Sequence, residues 1–312
     1  MPDPRRWPVP YLLFGASWLL AVAFLAARGE WTWVGAAVSE AGVLGLFVWL
    51  TLRLTRPDDG AGAARPSPHS RRPVEAEGPE RAAGGEATGD AGPVEAIVRL
   101  RLLAQLVVAG ALAVLSISEL RRLPGWSAVV DVARALGGAL PVPDPLWVVN
   151  PVLYVVLPGS AVLLLGAHRR EIGLRKGWRS WRVIGAWGTP VVAAWVYHVA
   201  TGQTGVGRIL RTLLANTVLN GASEEFLWRG VIQTRLTRLW TPAWGLVLAS
   251  LGFGWWHILS IADWAGADLW LAAALNTVVQ APMGLALGIV FQRTRSLLAP
   301  SAVHIVANTV TP

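Results

Sequence analysis

The stretch "NGASEEFLWRGV" (residues 220–231) places three charged side chains, Glu224, Glu225 and Arg229, within a turn and a half of predicted helix. Apolar sequence continues on both sides, so the charges are expected to lie in hydrophobic surroundings. A charged side chain near the middle of a bilayer costs roughly 2.5–3.5 kcal/mol on insertion scales. The three charges must therefore face the interior of a helix bundle and satisfy one another.

The chain as a whole is much more apolar than a soluble domain. Of its 312 residues, 54% are hydrophobic and 15% are charged, against roughly 25% charged residues in soluble domains. Apolar runs of about 20 residues, the length that crosses a ~30 Å hydrocarbon layer, recur along it. Its 18 tryptophans suit the membrane interfaces, where this residue accumulates. We predict an all-α fold, a polytopic transmembrane helical bundle with an intramembrane polar cavity.

The apolar runs also predict how the chain is organised. The candidate spans are residues 8–27, 32–52, 98–118, 147–167, 183–200, 212–236, 242–262, 269–291 and 297–311. Residues 55–96 are rich in Pro, Gly, Ala and mixed charge, which is typical of a disordered linker. The predicted units are therefore a two-span N-terminal unit (1–54), the linker (55–96), flanking helices (97–184) and a catalytic core (185–312).

The first span has an alternative interpretation as a cleavable signal peptide. Its apolar run, from about residue 7 to residue 27, is longer than the 7–15 residues of a signal core. We therefore predict that this span is retained.

Arginine predicts the orientation of the chain in the membrane. The formal charge of +8 comes from arginine, and cytoplasmic loops are enriched in Lys and Arg. The loop "HRREIGLRKGWRSWR" (168–182) and most other arginines fall on one side if the N-terminus is cytoplasmic. Arg121, Arg122 and Arg134 disagree, so segment 119–146 is either an interfacial helix or a sign that the span count is off by one. We predict a multi-pass protein of a bacterial-type plasma membrane, with a lipid partner and no nucleic-acid partner.

The charged turn contains one pair and one remaining acid. Glu225 and Arg229 are four residues apart with the acid first, the favourable order for an ion pair on one helix face, and a guanidinium can hold a carboxylate bidentately. Glu224 lies about 100° further round the helix and lacks that partner. A structural ion pair needs one acid, so the second acid is a candidate general base.

Two of the five histidines, His257 and His304, lie inside apolar segments. Each alone is more simply explained as a core histidine that shares a hydrogen bond. Together with Glu224 they form a set that can activate water. Either the three side chains hold a divalent metal with an open position, most naturally zinc, or Glu224 deprotonates a water molecule that histidine polarises without a metal. Asn308, one turn after His304, would then donate to the developing oxyanion.

The expected depths of these residues conflict. In a straight, upright span rising from the cytoplasm, His257 would lie about 22 Å up and His304 about 12 Å up. The cluster closes only if the helices are tilted or the predicted boundaries are wrong.

Three short motifs resemble those of a known family. "EEFLWR" (224–229) has the form E-E-x-x-x-R, "FGWWH" (253–257) the form F-x-x-x-H, and "HIVAN" (304–308) the form H-x-x-x-N. In this order and in separate hydrophobic segments they resemble the CPBP family, which includes CAAX prenyl proteases (type II CAAX endopeptidases) and Abi proteins. The resemblance covers roughly residues 185–310.

The resemblance implies an intramembrane endopeptidase, called a metalloprotease in this family, that cleaves a peptide or protein substrate near a membrane-associated or lipidated terminus. It implies that Glu224 activates water with His257, that His304 and Asn308 support the site and stabilise the intermediate, and that Glu225 and Arg229 are support residues. Two alternatives remain: a non-catalytic immunity-like or scaffold protein with the same fold, and a transporter. The transporter is disfavoured, because the sequence shows no pair of interrupted spans in two matching halves.

Overall fold

The structure is a computed structural model that describes residues 8–56, 93–117, 120–262 and 265–309. Within these ranges the regular structure is entirely helical. Six of the described helices are long and apolar enough to cross a membrane. Large apolar side chains such as Leu20, Leu100 and Leu164 point outward and are mostly exposed, as expected of a lipid-facing surface. The predicted helical polytopic membrane fold is confirmed.

The helices are named in chain order. They are α1 (Pro8–Ala27), α2 (Trp31–Leu54), α3 (Pro93–Leu115), α4 (Trp126–Ala139), α5 (Leu146–Leu164), α6 (Ser180–Ala200), α7 (206–239), α8 (Pro242–Trp256), α9 (Ile258–Ala262), α10 (Leu269–Thr294) and α11 (Leu298–Ala307). Single 3₁₀ turns lie at Leu120–Arg122 and Arg169–Ile172. A wide π-type turn interrupts α5, two interrupt α7, and α10 breaks at Val279.

Several predicted boundaries are wrong. Span 242–262 is not one helix, because α8 ends at Trp256 and the backbone turns at His257 before α9. The predicted boundaries at 97 and 185 fall inside α3 and α6. Most of the predicted linker, residues 57–92 with His69, lies outside the described residues, whereas its last four residues begin α3.

The described part of segment 119–146, residues 120–146, contains no helix long enough to cross a membrane. Its helix α4 has 14 residues, about 21 Å in length, which is shorter than the ~30 Å hydrocarbon layer. The indole of Trp126 at its start donates to the Leu115 carbonyl at 2.8 Å, so α4 begins against the end of α3. The observed helix favours the interfacial alternative over an additional span.

The N-terminal helices pack directly on the rest of the bundle. Leu25 of α1 and Ala37 of α2 share an apolar core with Leu275 and Val278 of α10. Arg28 Nη1, after α1, lies 2.5 Å from Asp268 Oδ2, before α10. The hydrogen bond from the Leu271 amide and the Arg28 guanidinium lower the pKa of Asp268. The two N-terminal helices and the predicted core thus belong to one bundle.

The loops sort the bundle into two ends. At the arginine-rich end, Arg179 Nη1 donates to the Arg56 carbonyl at 2.6 Å and Arg175 Nε donates to the Arg295 carbonyl at 2.6 Å. This joins the end of α2, the start of α6 and the end of α10. The opposite end carries the α1–α2 turn, the end of α3, the start of α5 and the α9–α10 loop.

Glycine allows the closest helix approach in the bundle core. A Cβ on Gly245 in α8 would lie 2.6 Å from the Thr237 amide nitrogen and 2.8 Å from its Cα, both backbone atoms of α7. A backbone cannot move away as a flexible side-chain tip can, so only glycine fits this crossing.

We expect Gly245→Ala to lower the free energy of unfolding by roughly 1–3 kcal/mol, because the added methyl group overpacks the α7–α8 contact. Chemical unfolding in detergent, followed by tryptophan fluorescence, measures the change. Gly110→Ala in α3 is the matched control, since nothing lies within 4 Å of its added Cβ and alanine favours helix by up to ~1 kcal/mol. Equal stability of the two variants would contradict the packing argument.

Candidate active site

The acidic pair lies on an irregular part of α7. Glu224 and Glu225 occupy a short α-helical segment, Ala222–Glu225, between π-type turns at Thr217–Gly221 and Phe226–Gln233. Such turns are rare and occur frequently at functional sites, because the extra residue per turn re-aims the side chains that follow. Glu224 is 7% exposed and Glu225 is 0% exposed, so both carboxylates are buried.

Glu225 bridges two cationic or polar partners. Its Oε2 accepts a hydrogen bond from Arg229 Nε at 3.0 Å, and its Oε1 lies 3.0 Å from His304 Nδ1. The expected ion pair is present, but the expected bidentate geometry is not. Arg229 Nη1 and Nη2 have no hydrogen-bond partner among the described residues, and the guanidinium carbon lies 5.0 Å from the ring centroid of Phe253. One carboxylate oxygen is thereby left for the histidine.

The partners of the two histidines determine their neutral tautomers. His304 Nδ1 faces the Glu225 carboxylate, and His257 Nδ1 lies 2.8 Å from the Phe253 carbonyl oxygen. Both partners only accept hydrogen bonds, so each Nδ1 carries the proton. In the neutral rings each Nε2 therefore presents a lone pair.

Both Nε2 atoms lie within 4.0 Å of the Glu224 carboxylate. His257 Nε2 lies 3.8 Å and His304 Nε2 lies 4.0 Å from Glu224 Oε2. The Phe253 ring packs edge-on against both imidazoles, with centroid distances of 4.8 Å and 6.0 Å. The expected conflict of depths is absent. His257 directly follows the 15-residue α8 and His304 lies in the last turn of the 10-residue α11, so the two helices do not start at one level.

A cavity of about 180 Å³ opens beside this cluster. Its lining residues are Ser116, Ile117, Tyr154, Glu224, Trp256, His257 and Ser260. These residues come from the end of α3, the first half of α5, α7, α8 and α9. The cavity therefore lies toward the end of the bundle opposite the arginine-rich end.

Asn308 is the predicted site residue that is not brought to the cluster. It caps the C-terminus of α11 and is exposed. Its backbone carbonyl accepts from Asn216 Nδ2 at 3.3 Å, and its side chain makes no hydrogen bond to another described residue. The Asn308 amide still donates to the His304 carbonyl at 3.0 Å, so the asparagine lies one turn beyond His304, and its side chain is at the exposed end of α11 rather than at the cluster. Of the predicted residues, Glu224, Glu225, Arg229, His257 and His304 are assembled.

Sequence reasoning missed a polar group on the other wall of the cavity. Arg121 Nη2 donates to Tyr154 Oη at 2.7 Å and to Asn150 Oδ1 at 3.2 Å, and Arg121 Nε donates to the Ser116 carbonyl at 2.8 Å. Arg121 attracted notice only as an exception to the charge pattern of the loops. That exception was the available signal.

The side chains around Glu224 have the chemistry of a zinc site. Two bare imidazole nitrogens and one carboxylate are ligands that zinc prefers, and the Nδ1–H bonds to Glu225 and the Phe253 carbonyl resemble the outer contacts of metal-bound histidines. Among the described residues no group of three such side chains stands at coordinating distance. The N···O separations of 3.8 and 4.0 Å would need to shorten by about half an ångström.

Comparison with known families places this site in context. Residues 206–310 match the family model described as "Type II CAAX prenyl endopeptidase Rce1-like". The match covers about a third of the chain, from the start of α7 to just past α11, and includes the assembled site residues. No curated protein and no solved structure shows a significant match to the chain. The sequence resemblance is thus confirmed at the level of this match: residues 206–310 are similar to the Rce1-like type II CAAX prenyl endopeptidases.

Proposed function

We propose that the chain is an intramembrane endopeptidase in which Glu224 is the general base. The observation that carries this proposal is that His257 Nε2 and His304 Nε2 both lie within 4.0 Å of the carboxylate of Glu224, a residue that lines the cavity. Its substrate is a peptide or protein held at the bilayer, with the scissile bond near a membrane-associated or lipidated terminus.

The arrangement supports the hydrolysis of an amide. A water molecule donates one hydrogen bond to Glu224 and the other to an imidazole Nε2. Its oxygen attacks the carbonyl carbon while Glu224 takes its proton, which gives a tetrahedral intermediate. The C–N bond then breaks as the proton passes from Glu224 to the leaving nitrogen. The products are a carboxylic acid and an amine.

The scheme above uses no metal, and an ion would take the Nε2 lone pairs that accept from the water molecule in it. Glu224, His257 and His304 would hold the ion, and zinc when bound would supply a more acidic water. The part of the reaction that belongs to the chain itself is the orientation of the two rings, which depends on Glu225 and the Phe253 carbonyl.

The orientation of the bundle sets the side from which substrate arrives. Cytoplasmic loops carry the excess of arginine, so we place the arginine-rich end, and with it the N-terminus, in the cytoplasm. The cavity then lies in the non-cytoplasmic half of the bundle. A substrate would present its scissile bond there, either from the bilayer or from the non-cytoplasmic surface.

We expect Glu224→Gln to reduce cleavage by at least about 100- to 10,000-fold, because the amide keeps the shape of the side chain but cannot take a proton. The measurement compares the peptide termini of membrane proteins from cells that carry the native chain or the variant. His198→Ala is the control, since this histidine lies outside the cluster and contacts Gln203 instead. Identical termini in the native and Glu224→Gln samples would favour the non-catalytic alternative.

We expect Arg229→Met to destabilise the protein by roughly 3–5 kcal/mol, because it leaves the buried Glu225 carboxylate without its cation. The double variant Glu225→Gln with Arg229→Met removes both charges and should recover most of that loss, yet cleavage should stay about 10- to 100-fold low, because His304 loses its anionic partner. Unfolding and cleavage are measured on the same preparations.

The matched control for this pair is Arg238→Met, which removes a partly solvent-exposed ion pair with Glu171. Its stability should change by less than about 1 kcal/mol. Full recovery of cleavage in the double variant would show that Glu225 does not orient His304.

We expect a cysteine at position 139 to react with a membrane-impermeant maleimide in intact cells, and a cysteine at position 176 to react only after lysis. Ala139 and Lys176 are exposed at opposite ends of the bundle. The chain contains no cysteine, so any maleimide labelling of a single-cysteine variant comes from the introduced cysteine. The reverse labelling pattern would place the cavity in the cytoplasmic half.

A further inference from the structure

One polar side chain in the cavity wall has no part in the scheme above. Tyr154 lines the cavity together with Glu224 and His257, and Arg121 stands behind its hydroxyl group. We propose that Tyr154 is a catalytic residue that donates a hydrogen bond to the carbonyl oxygen of the scissile bond, and that Arg121 is its positioning residue. This inference rests on the proposed peptidase function.

The hydroxyl proton of Tyr154 is free to be donated. Tyr154 Oη accepts from Arg121 Nη2 at 2.7 Å, which occupies the oxygen as an acceptor. A phenol also carries one donor hydrogen, and no acceptor for it lies among the described residues. Tyr154 is 5% exposed, so this donor is buried, and its residue lines the cavity.

The other side-chain donors of the cavity are already engaged. Ser116 Oγ donates to the Ala113 carbonyl, Ser260 Oγ to the His257 carbonyl, and Trp256 Nε1 to the Ala113 carbonyl. His257 uses its Nδ1–H on the Phe253 carbonyl. Among the lining side chains of the described chain, the phenol is the one whose donor hydrogen is left over.

The reaction needs such a donor opposite the base. Negative charge develops on the carbonyl oxygen as water attacks, and fixed hydrogen-bond donors aimed at that oxygen stabilise it. The Glu224 carboxylate and, in the neutral rings, the Nε2 atoms of His257 and His304 are acceptors, so none of them supplies this bond in the attacking state. Asn308, which the motif assigns to the oxyanion, is exposed outside the cavity lining.

Arg121 makes the phenol a better and more rigid donor. Its guanidinium polarises the hydroxyl oxygen through the 2.7 Å hydrogen bond, and it is itself fixed by the Ser116 carbonyl and the Asn150 side chain. Asn150 Nδ2 in turn donates to the Leu219 carbonyl of α7 at 3.1 Å, five residues before Glu224. The donor and the base are thereby held in one hydrogen-bonded frame. The proton stays on the phenol throughout the reaction.

The test is the kinetics of Tyr154→Phe on a peptide that spans a cleavage site mapped from native membranes. We expect kcat to fall about 100- to 1,000-fold, with KM within about threefold of the native value, because the bond forms in the transition state rather than with bound substrate. Tyr197→Phe is the matched control, since Tyr197 is 60% exposed on α6 and removed from the cavity.

A second measurement separates a catalytic from a merely structural role. A statine analogue of the same peptide carries a hydroxyl at the position of the tetrahedral oxygen, and its affinity should fall at least about tenfold in Tyr154→Phe while that of the uncleaved substrate peptide is unchanged. Arg121→Gln should lower kcat in the native background but not in Tyr154→Phe, as expected of residues acting through one bond. Arg122→Gln, on the exposed side of the same turn, should change neither.

The outcomes are separable. Cleavage by the native chain with an unchanged kcat in Tyr154→Phe overturns the role of Tyr154 and leaves the peptidase function standing. Equal, additive losses from Arg121→Gln in both backgrounds overturn the role of Arg121. If Tyr154→Phe does not fold, the Arg121→Gln kinetics and statine affinity decide, and native values in both overturn the proposal. Absence of cleavage by the native chain removes the proposed function and this inference with it.

Discussion

The bridge made by the Glu225 carboxylate between Arg229 and His304 is the interaction on which the site depends. An ionised carboxylate in a dry bundle is stabilised only if its oxygens are paired. Here one oxygen takes the guanidinium and the other takes an imidazole N–H from a helix 79 residues further along the chain. The same contact that satisfies the buried charge also fixes which nitrogen of His304 faces Glu224.

This bridge constrains the backbone as well as the side chains. For Glu225 to reach both partners while the adjacent Glu224 faces a cavity, the two carboxylates must point in different directions, as neighbouring residues on a helix do. The π-type turns on either side of Ala222–Glu225 re-aim the flanking parts of α7. Gly221 permits the approach of α11, since a Cβ there would lie 2.9 Å from the Ile305 amide nitrogen. The irregular part of α7 and the candidate site therefore lie at the same place in the bundle.

Sequence reasoning predicted the helical class and most helix positions, and five of its six candidate site residues lie in one cluster, because each leaves a local signal. Apolar length marks a span, the spacing of four marks the Glu225–Arg229 pair, and an isolated histidine in apolar sequence marks a buried ring. It did not predict the turn at His257, the different starting levels of α8 and α11, or the position of Asn308 outside the cluster. These features depend on where the helices begin and end against one another.

Arg121 belongs to the one loop that departs from the arginine pattern, and it also bonds to a residue of the cavity wall. The arginine rule describes charges that stay in water beside the membrane, where their cost is low on either side. Arg121 is different, because its Nε and Nη2 hydrogens are bound to a backbone carbonyl, an amide oxygen and a phenol at the end of the bundle. A cation held in this way carries no information about orientation, and its presence at the arginine-poor end calls for a local reason. The proposed reason is Tyr154, which lines the same cavity as Glu224 and whose hydroxyl group Arg121 holds in place.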